Sequence, residues 1–305
     1  MNVLEAENIS KRFGGHQVLD GLNMEVPRHS VYGFLGINGA GKTTTMKIIL
    51  GLLKADSGQV RVLGQKVRYG NSTTNRCIGY LPDVPEFYGY MSAPEYMMFC
   101  AQIGGLEKKY ALERTEKLLA MTGLENVKKR IRGYSRGMKQ RLGIAQALLG
   151  KPSLLICDEP TSALDPVGRK DILDILRDAG RETTVIFSTH ILPDAERICD
   201  RAAILHQGRI VVQGEIEKIK ERHGSSSVIL ETRSSGEMRR LLEYAGAAAL
   251  LKDAEITENC AVLPARSPET LQMKLMKLMV DADICPARME IAESSLENIF
   301  MEAVK

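Results

Sequence analysis

A chain of 305 residues is long enough for two domains, since domains commonly hold about 100–150 residues and single cores rarely grow past about 250–300. Hydrophobic residues at 44% and charged residues at 26%, with no low-complexity tract, exclude a chain that is mainly disordered. Lysine and arginine number 41 against 38 for aspartate and glutamate, a formal net charge of +3, so binding driven by overall charge is excluded and no nucleic acid partner is expected.

No run approaches the ~20 consecutive apolar residues of a membrane span, and the first ten residues lack the basic-then-apolar order of a signal peptide, so the chain is read as cytosolic. The cysteines (Cys77, Cys100, Cys157, Cys199, Cys260, Cys285) are far apart without a C-x-x-C pair and read as reduced, structural thiols.

From Val3 to about Gly214, short apolar runs alternate with helical patterns, the rhythm of an α/β domain. Strands are predicted at Val31–Leu35, Leu154–Cys157 and Val185–Ser188. Each is a compact apolar run ending at polar residues, as in buried parallel strands whose C-terminal ends hold the site. Residues 84–151 read as a helical insert, with helices over Ala93–Gln102, Lys108–Met121 and Gly137–Leu149.

Past Gly214 the pattern predicts a helix over Glu215–Arg222, a loop at Gly224–Ser227, then the strand-like V-I-L-E-T and further helical segments. A linker near 215–226 divides the chain into 1–215 and 216–305. The second part carries 12 basic and 15 acidic residues, net −3, which leaves +6 for the first and assigns polyanion binding there. No internal repeat is visible, so any paired site must draw on another chain.

The sharpest motif, Gly36-Ile37-Asn38-Gly39-Ala40-Gly41-Lys42-Thr43, fits G-x-x-x-x-G-K-[ST] between the apolar run V-Y-G-F-L and the helical pattern T-T-M-K-I-I-L. Glycines let the backbone wrap phosphates and amides at the helix N-terminus face the anion, while Lys42 supplies a point charge and Thr43 ligates Mg²⁺. Binding of a nucleoside triphosphate follows. Leu154–Cys157 delivers Asp158 and Glu159 at the same strand edge, Asp158 to hold Mg²⁺ and Glu159 to poise water. His190, after V-I-F-S-T, is placed to hydrogen-bond the γ-phosphate. The basic run Lys128-Lys129-Arg130-Ile131-Arg132, with Arg136, Lys139 and Arg141 beyond it, reads as a solvated helical face. Leu271, Leu275, Leu278 and Met279 have helical spacing and read as core or dimer surface of the second domain.

With Tyr134-Ser135-Arg136-Gly137-Met138-Lys139-Gln140-Arg141 lying between these motifs, residues 1 to about 215 resemble the ATP-binding subunit of ABC transporters, and among them the ABC-2-type drug and antibiotic exporters. The resemblance implies a P-loop NTPase cassette, a RecA-like α/β core plus the helical subdomain at 84–151, followed by a small α+β accessory domain. It implies that Phe13 stacks on adenine, that Asn38, Gly39, Ala40, Gly41, Lys42, Thr43 and Thr44 bind the phosphates, and that His190 is the switch histidine. Ser135 and Gly137, in the signature segment, and Asp165, in the dimer-contacting Ser162-Ala163-Leu164-Asp165, would serve nucleotide held by the opposite subunit.

Two departures stand out. The signature, most often L-S-G-G-Q, has Tyr134, Arg136 and Met138 in place of its usual residues, and Asp83 stands where glutamine is usual, keeping an oxygen ligand for Mg²⁺ and losing the neutral amide. The end of the chain, Ser294–Glu302, resembles the close of the accessory domain of exporter ATPases, a module for dimerisation or regulation. The implied function is ATP hydrolysis driving export through a separate transmembrane permease, with a second ATPase subunit, identical or different, completing the sites. The implied location is cytoplasmic, peripheral on the inner face of the cell membrane. Two readings stand beside it: a soluble ABC-type ATPase acting on a cytosolic assembly or nucleic acid, and a nucleotide-sensing module without useful turnover.

Overall fold

The computed structural model describes residues 2–223, 226–265, 267–292 and 295–304. The chain divides into two compact units, one ending at Ile216 and one over Glu217–Ala303.

The first unit begins with β1 (Asn2–Phe13) and β2 (His16–Pro27), a long antiparallel hairpin closed at Gly14, whose φ of 56° suits glycine. β3 (Val31–Leu35) is buried throughout and leads through the glycine-rich loop into α1 (Lys42–Ile49). β4 (Ser57–Val62) and β5 (Gln65–Lys66) join the hairpin in an antiparallel sheet of order β2-β1-β4-β5. β6 (Ile78–Leu81) then opens the helical insert of α2 (Ala93–Ile103), α3 (Lys108–Met121) and α4 (Arg136–Leu148). β7 (Leu154–Cys157), α5 (Pro166–Ala179), β8 (Thr184–Thr189), α6 (Leu192–Ile198), β9 (Arg201–His206) and β10 (Arg209–Glu215) complete the unit.

The central sheet has the order β10-β9-β3-β8-β7-β6 and is parallel except for the β9–β10 hairpin. Its register pairs Leu35 with Thr189 and Cys157 with Phe187, so β3, β7 and β8 end along one edge. The loops that leave those ends carry the glycine-rich loop, Asp158 with Glu159, and His190. This is the position where open α/β sheets bind ligands. A core that includes Ile9, Leu22, Tyr32, Phe34, Met46, Ile156 and Ile186 joins the hairpin, α1 and the central sheet. Continuous apolar strands such as L-L-I-C and V-I-F-S are what burial on both faces requires.

The helices of the insert start on explicit signals. Ser92 and Glu95 form a reciprocal capping box at α2, Glu107 accepts from the amides of Lys109 and Tyr110 at α3, and Ser135 caps α4 by accepting from Met138 N–H. One expectation is corrected here: the basic run 128–132 is a loop ending in a short 3₁₀ turn (Ile131–Gly133), not a helical face. The physical reason is local, since Ile131 N–H donates to Met91 O and Arg132 N–H to Gly89 O, which pins the run against the loop before α2. The antiparallel sheet, which the α/β rhythm does not by itself predict, is a second sheet of the unit.

The second unit holds α7 (Ile216–His223), β11 (Ser226–Glu231), α8 (Ser235–Glu243), α9 (Ala247–Leu250), β12 (Glu255–Ile256), β13 (Cys260–Ala265), α10 (Pro268–Asp281), β14 (Arg288–Ala292) and α11 (Leu296–Ala303). Its sheet, of order β12-β13-β11-β14, is antiparallel throughout. Val228, Leu230, Ala261 and Leu263 pack with Met238, Leu241, Leu275, Leu278 and Met279 in a core of their own, with Leu271 partly buried against it. Most of the expected linker is therefore the helix α7, and the expected loop at Gly224–Ser227 gives way to β11 at Ser226; positions 224, 225 and 294, on which the loop and end-of-chain readings also fall, lie outside the described residues. Among the described residues no helix is long and apolar enough to cross a membrane.

Candidate active site

The loop between β3 and α1 closes with two left-handed glycines, Gly39 at φ 83° and Gly41 at φ 110°. A Cβ on Gly41 would lie 2.7 Å from Leu19 Cδ2 and 3.1 Å from Val18 O, so both conformation and space demand glycine there. Lys42, the first residue of α1, is buried, and its ammonium donates to the carbonyls of Gly36 and, at 3.2 Å, Ile37. It also stands 3.0 Å from Glu159 Oε1, an ion pair without the alignment of a hydrogen bond. His190 Nδ1 lies 2.9 Å from Glu159 Oε2; with the carboxylate ionised, the ring donates from Nδ1.

Glu159 itself has φ 47°, the left-handed region that costs a non-glycine residue about 1–2 kcal/mol. Neighbouring bonds hold it there. Its N–H donates to Ser188 Oγ at 2.9 Å, and Ser162 N–H donates back to Glu159 O at 3.0 Å. Asp158, one residue earlier and buried, gives its N–H to Leu81 O at 2.8 Å and accepts from Ser188 Oγ at 2.7 Å.

These groups surround a cavity of about 360 Å³ lined by Val18, Asn38, Gly39, Gly41, Lys42, Thr43, Thr44, Asp83, Glu159, Ser162 and His190. A larger groove of about 720 Å³, between β6 and the ends of α2 and α4, is lined by neither lysine nor carboxylate and has no comparable chemistry. The smaller cavity joins a buried ammonium, a glycine-shaped loop, two hydroxyls at the start of α1 and carboxylates. That combination binds phosphate and oxygen-ligated cations.

Comparison with known proteins agrees. The family model for ABC transporters matches residues 19–162. The ABC transporter ATP-binding protein YxlF of Bacillus subtilis is 42% identical over 232 residues, covering 76% of this chain and 77% of that protein. The bacitracin transport ATP-binding protein BcrA of Bacillus licheniformis is 34% identical over 305 residues, 99% of this chain and 97% of that one. The chain belongs to the ABC transporter ATP-binding proteins. Among solved structures, an ATP-binding subunit of an ABC transporter superposes with a TM-score of 0.66 at 32% identity over 73% of this chain and 93% of that one. The cbiO1 protein of Clostridium perfringens, part of the ABC transporter complex cbiONQ, does so with a TM-score of 0.67 at 28% identity over 73% and 92%. As an ABC transporter ATP-binding subunit, the chain binds and hydrolyses ATP.

In this ABC subunit the other expected residues divide between locations. Ala40, within the phosphate loop, is buried and is not among the residues lining the cavity. Phe13 closes β1, 49% exposed with the Lys11 ammonium 5.4 Å from its ring centroid, and is not among the residues lining the cavity. Ser135, Gly137 and Asp165 line a separate depression of about 410 Å³ with Arg136, Arg141 and Leu164. Asp165 caps α5 by accepting from Gly168 N–H, and the chain on either side of it is tied down where Thr161 before it and Arg169 of α5 both bond the buried Asp194.

The two departures from the ABC pattern meet each other. Arg136 Nη2 lies 3.4 Å from Asp83 Oδ1, and the buried Gln140 of α4 donates to Asp83 O at 2.7 Å. Desolvation raises the Asp83 carboxyl above its ordinary range; Arg136 opposes this, while the charges of Asp158 and Glu159 add to it. The Tyr80 phenol is pushed up to about 12, by burial first and by Asp158 next. Two residues at the site escaped sequence reading, Val18 and Ser188, while Ser162, expected only in the dimer-contacting segment, also lines the cavity. Of the two, Ser188 carried a signal, as a polar residue closing the apolar run V-I-F-S.

Proposed function

We propose that this subunit powers export through a separate transmembrane permease, as a homo- or heterodimer whose two composite ATP sites close across the interface. In that reading it sits in the cytoplasm, peripheral on the inner face of the membrane. Support comes from the relatives named for bacitracin transport, one of which matches nearly the whole chain, and from the multi-part transporter complex of the cbiO1 neighbour. The single observation that carries the mechanism is the convergence of Lys42, Thr43, Asp83, Glu159 and His190 on one cavity beside Asp158.

The donors Thr43, Asp83 and Asp158 offer oxygen alone, the set that suits Mg²⁺, which would neutralise charge developing on the phosphates when bound. Lys42 is shared between the Gly36 and Ile37 carbonyls and Glu159, so a γ-phosphate reaching Lys42 competes with that carboxylate. Once displaced, Glu159 has an oxygen free to accept a proton from the attacking water. His190 steadies the other oxygen through Nδ1, and a doubly protonated ring would also donate from Nε2 to the phosphate. Ser135, Gly137 and Asp165, gathered at a second depression, are the surface offered to nucleotide on the opposite subunit. ATP, which bridges both subunits, favours the closed dimer more than ADP does, and hydrolysis reverses the bias.

The test is affinity purification of the Glu159→Gln variant with Mg-ATP from gently solubilised native membranes. A stoichiometric polytopic membrane protein is expected to accompany it, whereas recovery of soluble or ribonucleoprotein partners alone, with the chain absent from membranes, overturns the exporter reading.

A further inference from the structure

Ser188 is wholly buried in β8, the strand between β3 and β7. Parallel register sets Phe187 opposite Cys157, which brings the next pair, Ser188 and Asp158, to the strand ends together. One hydroxyl then makes two bonds in opposite senses. It donates to Asp158 Oδ1 at 2.7 Å and accepts from Glu159 N–H at 2.9 Å. Only a group that is both donor and acceptor can do this.

We propose that Ser188 is the positioning residue for both strand-end carboxylates. By holding Asp158 Oδ1 it fixes the carboxylate's rotation and the direction in which the remaining lone pairs face. By accepting from Glu159 N–H it supports the left-handed backbone at φ 47° that aims that side chain at Lys42, 3.0 Å away, and His190, 2.9 Å away. The two roles are thereby coupled: a shift of Ser188 moves the cation-holding and the water-handling groups together. Partners that orient ligating carboxylates affect metal affinity or activity by about 10–100-fold when removed. This proposal rests on the roles given above to Asp158 and Glu159, since Ser188 is not among the residues lining the cavity and acts through those two.

The test compares Ser188→Ala with Ser188→Thr, which keeps the hydroxyl; Ser188→Cys, close in volume and a weaker hydrogen-bonding group, carries the same comparison if the alanine chain is poorly folded. Steady-state turnover is measured beside equilibrium ATP binding with Mg²⁺ and with a chelator. The alanine variant is expected to lose about 10–100-fold in kcat and most of the gain in ATP affinity that Mg²⁺ provides. Its chelator-condition affinity should stay within about twofold, and threonine should restore most of both losses. Turnover within about twofold of the parent, or equal loss of ATP affinity with and without Mg²⁺ in alanine and threonine variants alike, overturns the proposal. Asp158→Asn and Glu159→Gln are run alongside: if they too leave turnover intact, the carboxylate roles fail first, and if they abolish it while Ser188→Ala does not, the Ser188 proposal fails alone.

Discussion

Glu159 is the residue on which the chemistry of the site turns, because its carboxylate is divided between Lys42 and His190 while its backbone is held left-handed. Glutamine keeps the size and loses the base. Glu159→Gln is therefore expected to slow hydrolysis by about 10²–10⁴-fold, the usual worth of a positioned general base, with ATP binding retained. Single-turnover hydrolysis beside nucleotide titration checks this, and an unchanged rate removes Glu159 as the base. The phosphate loop offers a contrast between two glycines. Gly39→Ala meets open space and suffers only from its φ of 83°, whereas Gly41→Ala also drives a Cβ to 2.7 Å from Leu19. Strain of this kind costs on the order of 1–3 kcal/mol, so Gly41→Ala should lower thermal stability and ATP affinity clearly more than Gly39→Ala. Equal effects in the two variants would show that space at Leu19 is not limiting.

At the scale of elements, the loop after β6 is tied to α4 twice, through Arg136 to the Asp83 side chain and through Gln140 to its carbonyl. The ties differ in kind. Arg136 and Asp83 are 43% and 47% exposed, and such pairs contribute only about 0–1 kcal/mol to folding. Gln140 is fully buried, and Gln140→Leu strands the Asp83 carbonyl, which should cost about 1–3 kcal/mol in denaturant unfolding. Arg136→Ala should instead move a proton equilibrium. Arg136 is the influence that lowers the Asp83 carboxyl against desolvation, so its loss raises that group further, as an NMR titration of the carboxyl carbon would read. The folded chain holds this proton more tightly than the unfolded chain does. Its contribution to stability is thus full below the unfolded value and lost as pH rises through the folded one, a window that Arg136→Ala extends upward. An Asp83 titration unmoved by the substitution would mean the pair does not form in solution.

Elements differed in how far they could be read in advance, for reasons of burial and pairing. β3 and β7 are short apolar runs buried on both faces and stand out against their polar ends. β1 and β2 do not, because register shifts between Ala6 and Ile9 and between Ile9 and Lys11 break the two-residue alternation by which a half-buried strand is recognised. The same distinction governs the site. The phosphate loop, Asp158 with Glu159, and His190 are each contiguous with a strand end, whereas Ser188 matters only because β8 lies beside β7, a fact of sheet order 30 residues removed along the chain. Arg136 and Asp83 were each visible as departures, but their meeting across 53 residues was not.

For the molecule as a whole, the decisive feature is that each unit has its own core. Ile9, Leu22, Phe34, Met46 and Ile186 belong to one, and Val228, Leu263, Leu275 and Met279 to the other. Every residue lining the ATP cavity falls within the first unit, between Val18 and His190, as do those lining the depression at Ser135 and Asp165. A chain ending at Ile216 is accordingly expected to fold and to bind ATP within about threefold of the full chain's affinity, because independent cores carry independent stability. Its turnover is a separate matter. If the second unit serves dimerisation, the truncated chain should reach full specific ATPase activity only at higher protein concentration, with sedimentation shifted toward monomer; if it serves regulation, activity per subunit should change without a concentration dependence. Nucleotide affinity and sedimentation measured on the same truncated preparation separate these outcomes, and loss of ATP binding itself would show that the cassette does not fold alone.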